Sequence, residues 1–164
     1  MRCLTGLVLV QMSGLADGVD GLQARGTLTS DDYARVFAPL VDRHRRGGQR
    51  LRLLYQFGPA FDRITPGALW ADSVLGARYL PLLDGCALVT NIDWIREPAR
   101  SIAAWMPCPM RVYDDAHRDD AARWLASLSP ADEPSIAQTA KAYIGGTCGA
   151  LASIAKLLVT QQFR

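Results

Sequence analysis

The residues Cys86-Ala87-Leu88-Val89-Thr90 form a short apolar run that ends directly before Asn91-Ile92-Asp93. The run has almost no alternation of apolar and polar residues, which is typical of a strand covered on both faces. Asn91-Ile92-Asp93 begins an amphipathic helix, whose apolar face carries Ile95, Ala99, Ile102, Ala103 and Met106. A covered strand followed at once by such a helix predicts an α/β fold with a parallel sheet.

The same alternation of strand and helix extends outward from this stretch. Strands are predicted over Leu7–Met12, Gly21–Thr27, Arg50–Phe57, Cys86–Thr90 and Met110–Tyr113. Helices are predicted over residues 29–47, 65–80, 91–106 and 114–128. The order β-β-α-β-α-β-α-β-α predicts a single mixed, mostly parallel sheet of about five strands flanked by about four helices. The first two strands are expected to be antiparallel, and Gly58-Pro59 is expected to end the third strand.

The chain divides into a predicted α/β domain over residues 1–128 and a linker plus tail over residues 129–164. The tail is rich in Ala and Gly, and Ala142–Ala155 carries no charge. As a helix this run would be about 21 Å long, too short for the roughly 30 Å core of a bilayer. We therefore expect no stable membrane insertion. The tail either packs on its own domain or a partner, or is partly disordered, and a homodimer interface is one possibility.

Composition excludes several classes of protein. The chain has 164 residues, of which 49% are hydrophobic, which suits one globular domain. Its 18 basic and 16 acidic residues give a net charge of +2, which does not favour nucleic acid as a partner. The four cysteines contain no CxxC pair, so neither a zinc site nor any other metal site is predicted. We expect reduced thiols, a cytoplasmic location and no cofactor.

No motif in the sequence identifies a reaction. His44 and His117 lie in no recognised acid–base or ligand spacing, and each is interpreted as a packed or solvated histidine. Paired aspartates at 31–32, 114–115 and 119–120 fall at helix starts, where capping and the helix dipole explain them. Five arginines between positions 43 and 52 indicate a solvated helix end, with an anion-binding patch as the alternative.

Two longer segments carry a family resemblance. The segment Ala68–Gly76, which includes Leu69-Trp70-Ala71-Asp72, and the segment Val89–Arg96, which includes Asp93-Trp94-Ile95-Arg96, resemble the SpoIIAA-like group of STAS/SEC14-type domains over residues 8–128. The resemblance implies a mixed sheet flanked by helices. It also implies partner binding, as in anti-sigma-factor antagonists, or binding of an apolar, lipid-like ligand, as in SEC14-type (CRAL-TRIO-like) carriers. Members are mostly uncharacterised small bacterial proteins.

The resemblance points to Thr65 as the counterpart of a phosphorylatable serine in the antagonists. There the family word is Asp-Ser-Ser-Gly, whereas this chain has Ile64-Thr65-Pro66-Gly67. The loss of the aspartate and of one serine weakens the expectation of a phosphorylation switch. From the residues alone, Thr65 is a helix N-cap before Pro66.

These observations favour a non-catalytic module that binds a protein partner or an apolar small molecule. Ligands of open α/β sheets contact the carboxyl edge of the parallel strands. The candidate binding residues are Thr65, Trp70, Asp72, Asn91, Asp93, Trp94 and Arg96. Trp70 and Trp94 are also expected to pack buried rings over the sheet edge. One alternative is an enzyme that uses Asp72, Asp93 and Arg96, and another is a self-associating subunit.

Overall fold

The computed structural model describes residues 8–65, 79–104, 106–130, 140, 141 and 144. Five strands form one sheet in the order β1-β2-β3-β4-β5. They are β1 Leu9–Met12, β2 Val19–Leu28, β3 Leu51–Ile64, β4 Leu83–Thr90 and β5 Met110–Tyr113. β1 pairs with β2 antiparallel, and every other neighbouring pair is parallel. The mixed, mostly parallel sheet and its antiparallel opening pair are confirmed.

Within the described ranges, three helices accompany the sheet. The first, α1, consists of Ser30–Asp32, a π-helical turn at Tyr33–Phe37 and Ala38–Arg46 in direct succession. The others are α2, Asp93–Ala103, and α3, Arg118–Ser127. Short 3-10 turns precede β4 at Leu80–Leu82 and α3 at Asp115–His117. Residues 66–78 of the helix predicted over 65–80, and nearly all of the predicted tail, lie outside the described residues.

The π-helical turn in α1 has a cause in the sequence. The backbone N–H of Ala38 donates to the carbonyl of Tyr33, five residues earlier. Pro39 follows at once, and a proline inside a helix has no N–H to donate and crowds the carbonyl four residues before it. A wider turn relieves that crowding. The continuous amphipathic helix predicted here is therefore present, but with one widened turn.

The start of α1 supports the interpretation of paired aspartates as caps. The carboxylate of Asp32 accepts hydrogen bonds from the backbone N–H of Thr29 at 2.8 Å and from its hydroxyl at 2.6 Å. Asp32 is 4% exposed, so this cap is built into the packed structure.

The order of the strands determines which face each helix covers. Parallel strands that follow one another across a sheet are joined by right-handed crossovers, which all lie on the same face. Accordingly Phe37 and Val41 of α1 and Ala99 of α2 belong to one hydrophobic core. α3 follows the last strand and packs on the opposite face, where Leu125 contacts a second core with Leu54 and others. Both faces of β3 and β4 are thus covered, as the apolar run in β4 predicts.

The third strand is longer than predicted. Gly58-Pro59 does not end it, because the chain resumes pairing with β2, where Gly26 lies opposite Phe61. Register shifts absorb the extra residues, and Gly26 adopts a positive φ of 58° at this point. Phe61 is buried and its ring lies 4.9 Å from that of Phe57, edge to face. Burial of this ring outweighs the turn-forming tendency of the Gly-Pro pair.

The fourth strand begins earlier than predicted, and the reason is electrostatic. Asp84 is 6% exposed within β4, and its carboxylate accepts a short hydrogen bond from the Nε of Arg50. Nε of Arg52 lies 3.9 Å from the other carboxylate oxygen. Arg50 also donates to the carbonyl of Leu83 at 2.9 Å. These contacts allow a charged residue to occupy a buried strand position, and they turn two of the five clustered arginines inward.

Among the residues that the structure describes, no helix has both the length and the apolar character needed to cross a bilayer.

We predict that Asp84→Ala lowers the free energy of unfolding by about 3–5 kcal/mol, because it leaves two partly buried guanidinium groups without their carboxylate. Urea denaturation followed by circular dichroism measures the change. Asp62→Ala is the matched control, since Asp62 is 66% exposed and pairs with Arg63 at 3.7 Å. That control is expected to change stability by no more than about 0.5 kcal/mol. Equal losses in the two variants would contradict the structural role of Asp84.

Candidate functional site

Polar side chains converge at the carboxyl edge of β3, β4 and β5. Asn91 follows β4, and Asp114 and Asp115 follow β5. The side-chain oxygen of Asn91 accepts a hydrogen bond from the backbone N–H of Asp115 at 3.0 Å. This bond joins the ends of two neighbouring strands and fixes the turn that begins α3.

Gln56 of β3 also belongs to this cluster. Its amide nitrogen donates to the carboxylate of Asp115 at 3.2 Å. The residue is only 6% exposed, and its buried side-chain oxygen has no hydrogen-bond partner within the described part of the chain. The sequence analysis did not select Gln56, although a polar residue between Tyr55 and Phe57 in a predicted buried strand is a signal that could have identified it.

His117 and Asp114 form an exposed pair beside this cluster. The Nδ1 atom of His117 lies 2.5 Å from Oδ1 of Asp114, which also accepts the backbone N–H of His117 at 3.1 Å. The side-chain hydrogen bond raises the pKa of His117 above its ordinary value of 6.5. The same bond lowers the pKa of Asp114 below 3.8, and the nearby charge of Arg96 lowers it further. Asp114 thus caps the turn as predicted, and His117 is a paired histidine.

Five of the seven predicted site residues separate into three groups. Asn91 belongs to the cluster, and Arg96 of α2 lies close enough to act on Asp114. Asp93 is exposed at the first turn of α2, and no contact brings it to the cluster. Trp70 and Asp72 lie outside the described residues.

Thr65 lies at another part of the same edge. Its backbone N–H donates to the carbonyl of Leu28 at 2.9 Å, so it sits beside the end of β2. Asn91 instead follows Thr90, which pairs with Phe57, and β3 continues from Phe57 to Ile64 before Thr65 is reached. The register therefore separates Thr65 from the cluster, and its predicted role as a cap concerns a helix outside the described residues.

Metal binding and nucleophilic thiol chemistry are two further possibilities, and the described residues give little support to either. No group of three or more His, Cys, Asp or Glu residues in the described part of the chain could hold a metal ion. Burial raises the pKa of the Cys108 thiol to about 12, so this thiol is not a nucleophile at neutral pH. Cys86, predicted to be buried, is half-buried and packs against the first core.

Comparison with protein families gives a match described as SpoIIAA-like over residues 21–126, more than half of the chain. The chain belongs to the SpoIIAA-like family. Its fold is similar to that of an uncharacterized protein of the DUF3478 family from Shewanella loihica PV-4, whose crystal structure has a SpoIIAA-like fold. The identity is 21%, the TM-score is 0.57, and the match covers 71% of this chain and 91% of that one. A search of curated proteins found no match.

Trp94 of this SpoIIAA-like domain is more exposed than expected. Its side chain lies at the start of α2, and the residue is 41% exposed. Its ring centroid is 6.1 Å from that of Phe61, which lies on the extension of β3. The expectation of a buried ring is wrong for Trp94, because the residue keeps 41% of its surface exposed.

Loss of a fully buried aromatic ring lowers the free energy of unfolding by about 3–5 kcal/mol. We predict a smaller decrease for Trp94→Ala. Phe57→Ala is the comparison, since Phe57 is only 8% exposed and should show the full cost. Urea denaturation of both variants measures the difference. An equal loss in the two variants would show that the indole is packed as tightly as the core ring.

The His117–Asp114 pair predicts a specific dependence on pH. Because the pKa of His117 is raised, its contribution to stability is complete below 6.5 and disappears as the pH rises through the raised value. Because the pKa of Asp114 is lowered, its contribution is present above 3.8 and disappears as the pH falls through the lowered value. The pair therefore stabilises the turn most in the acidic range between these limits.

NMR titration of the His117 ring tests this assignment. The midpoint is expected above 6.5 in the unmodified protein and should return toward 6.5 in Asp114→Asn. Asp119→Asn is the control, because Asp119 is a nearby carboxylate that is 84% exposed. A midpoint that Asp114→Asn leaves unchanged would contradict the assigned cause.

Proposed function

We propose that this SpoIIAA-like domain is a non-catalytic binding module whose ligand or protein partner contacts the cluster of Gln56, Asn91 and Asp115. One observation carries the proposal: among the residues that the structure describes, none donates a hydrogen bond to the buried side-chain oxygen of Gln56. A buried acceptor left without a partner costs about 1–3 kcal/mol. A ligand that brings an N–H or O–H donor to this oxygen would recover that cost.

The surroundings of Gln56 indicate which chemistry would fit. Arg96 and His117 supply positive charge near Asp114, and Asn91 presents an amide at the exposed edge. A ligand that carries a hydrogen-bond donor together with an anionic group would match these side chains. Because the Gln56 oxygen is shielded, a ligand reaches it only after a local rearrangement of the groups that cover it.

Native mass spectrometry of gently purified protein, together with affinity capture from the source cells, tests the proposal. A co-purified small molecule or a defined partner should be retained by the unmodified protein and lost from Gln56→Met and Asn91→Ala. Arg46→Ala is the control, because Arg46 is exposed at the end of α1 and should retain the bound species. Retention by all variants would reject this cluster as the binding site.

We predict that Gln56→Met changes the free energy of unfolding by less than about 1 kcal/mol. The substitution removes the hydrogen bond to Asp115, which costs about 1–3 kcal/mol, but it also removes an unpaired buried acceptor of similar cost. Thermal and urea denaturation measure the change. A loss above about 3 kcal/mol would assign Gln56 a structural role instead.

The alternative is an enzyme, and one observation favours it. The Nδ1 atom of His117 is held by Asp114, an arrangement that leaves Nε2 able to act as a general acid or base. Arg96 could then bind an anionic substrate. Turnover in esterase, phosphatase or oxidoreductase assays that His117→Gln abolishes would support this function. Purified protein without turnover in all three would weigh against it.

A further inference from the structure

The outer edge of β5 has backbone groups that face away from the sheet. Cys86 of β4 lies opposite Met110, and its N–H donates to the carbonyl of Pro109 at 3.0 Å. In a parallel ladder the residues on either side of Met110 therefore bond to β4, and Met110 and Val112 direct their N–H and carbonyl groups outward. No strand among the described residues pairs with this edge.

A groove of approximately 320 Å³ runs along this edge. Its apolar wall is formed by Ala103 of α2 and by the half-buried Met110 and Val112 of β5. An extended segment laid along β5 would bury apolar side chains against this wall while its backbone pairs with the strand.

Two arginines border the groove. Arg100 of α2 and Arg111 of β5 are both exposed, and the guanidinium carbon of Arg111 lies 4.8 Å above the ring of Trp124. In the described part of the chain neither arginine forms an ion pair with a carboxylate. The edge therefore carries positive charge that is not neutralised locally.

The positive charge of Arg100 and Arg111 determines which kind of chain segment can pair with the outer edge of β5. Antiparallel pairing of β5 with β5 of a second copy, in the register centred on Arg111, would bring Arg111 against its own counterpart, and like charges across a strand pair are destabilising. A segment with acidic side chains would meet opposite charge at the same positions. We propose that the outer edge of β5 is a docking surface for an extended, acidic segment of a partner protein, which adds to the sheet as a sixth strand.

A synthetic peptide tests this proposal directly. The probe is a fluorescein-labelled hexapeptide of alternating Glu and Val, compared with a version whose backbone amides are methylated and with one of alternating Lys and Val. Fluorescence anisotropy should show saturable binding of the Glu-Val peptide only. Backbone NMR shifts should map to residues 100–103 and 110–113.

Two pairs of variants separate backbone pairing from charge. Val112→Pro removes an outward N–H that β4 does not use, whereas Val112→Thr keeps it and serves as the matched control. Arg100→Gln with Arg111→Gln removes the charge, and Arg46→Gln is the control at a distant exposed arginine. The proline and double-glutamine variants should weaken binding by about tenfold, and both controls should stay within about twofold.

Several results would overturn the proposal. They are absence of saturable binding, equal binding of the methylated peptide, shifts that map elsewhere, or a dimer in analytical ultracentrifugation that Val112→Pro abolishes. The methylated peptide decides the question even if Val112→Pro does not fold. Gln56→Met and Asn91→Ala should bind the peptide normally, so failure here is distinguishable from failure of the proposed function.

Discussion

The buried carboxylate of Asp84 is the interaction on which much of the fold depends. Arg50, directly before β3, and Arg52 of β3 reach it, so the charge lies where the two central strands pair. Arg52 also donates to the carbonyls of Leu125 and Ala126 at 3.3 and 3.2 Å, at the end of α3. One acidic side chain thus connects β3, β4 and the helix on the second face. A buried ion pair adds little to stability over an apolar substitute, but its geometry fixes which strands and which helix end meet.

Sequence patterns predicted the fold well where the apolar signal was strong, as in the continuous apolar run of β4 and the helical stripe of α1. They failed where a tertiary contact overrode a local signal. Gly58-Pro59 indicated a turn, yet burial of Phe61 carries β3 beyond it. Asp84 precedes the strand predicted over Cys86–Thr90, yet a salt bridge with an arginine more than 30 positions away allows it inside β4. Such partners are distant in the chain and invisible to a local pattern.

The candidate site residues were selected by their place at the edge of the sheet more than by their residue type. The rule that ligands contact the carboxyl edge of parallel strands led to Asn91, and the family resemblance led to Arg96. The structure brings both toward one cluster. The rule also selected Thr65, but the length of β3 places this residue beside the end of β2, away from the cluster. Gln56 was missed because its importance rests on the burial of one oxygen atom and the lack of a donor beside it. The predicted buried strand indicates the burial, but the lack of a donor beside the oxygen cannot be inferred from the sequence.

The order of strands in the sheet also governs how this chain can fold as it is synthesised. Each strand pairs with the one made just before it, so every new strand finds its neighbour already present and the loops to be closed are short. The sheet face that carries Leu54, Ala87 and Val89 is covered later than the strands are paired, because α3, the helix that packs on it, follows all five strands. Until that helix leaves the ribosome the nascent sheet exposes an apolar surface, and during that interval the chain is most vulnerable to aggregation.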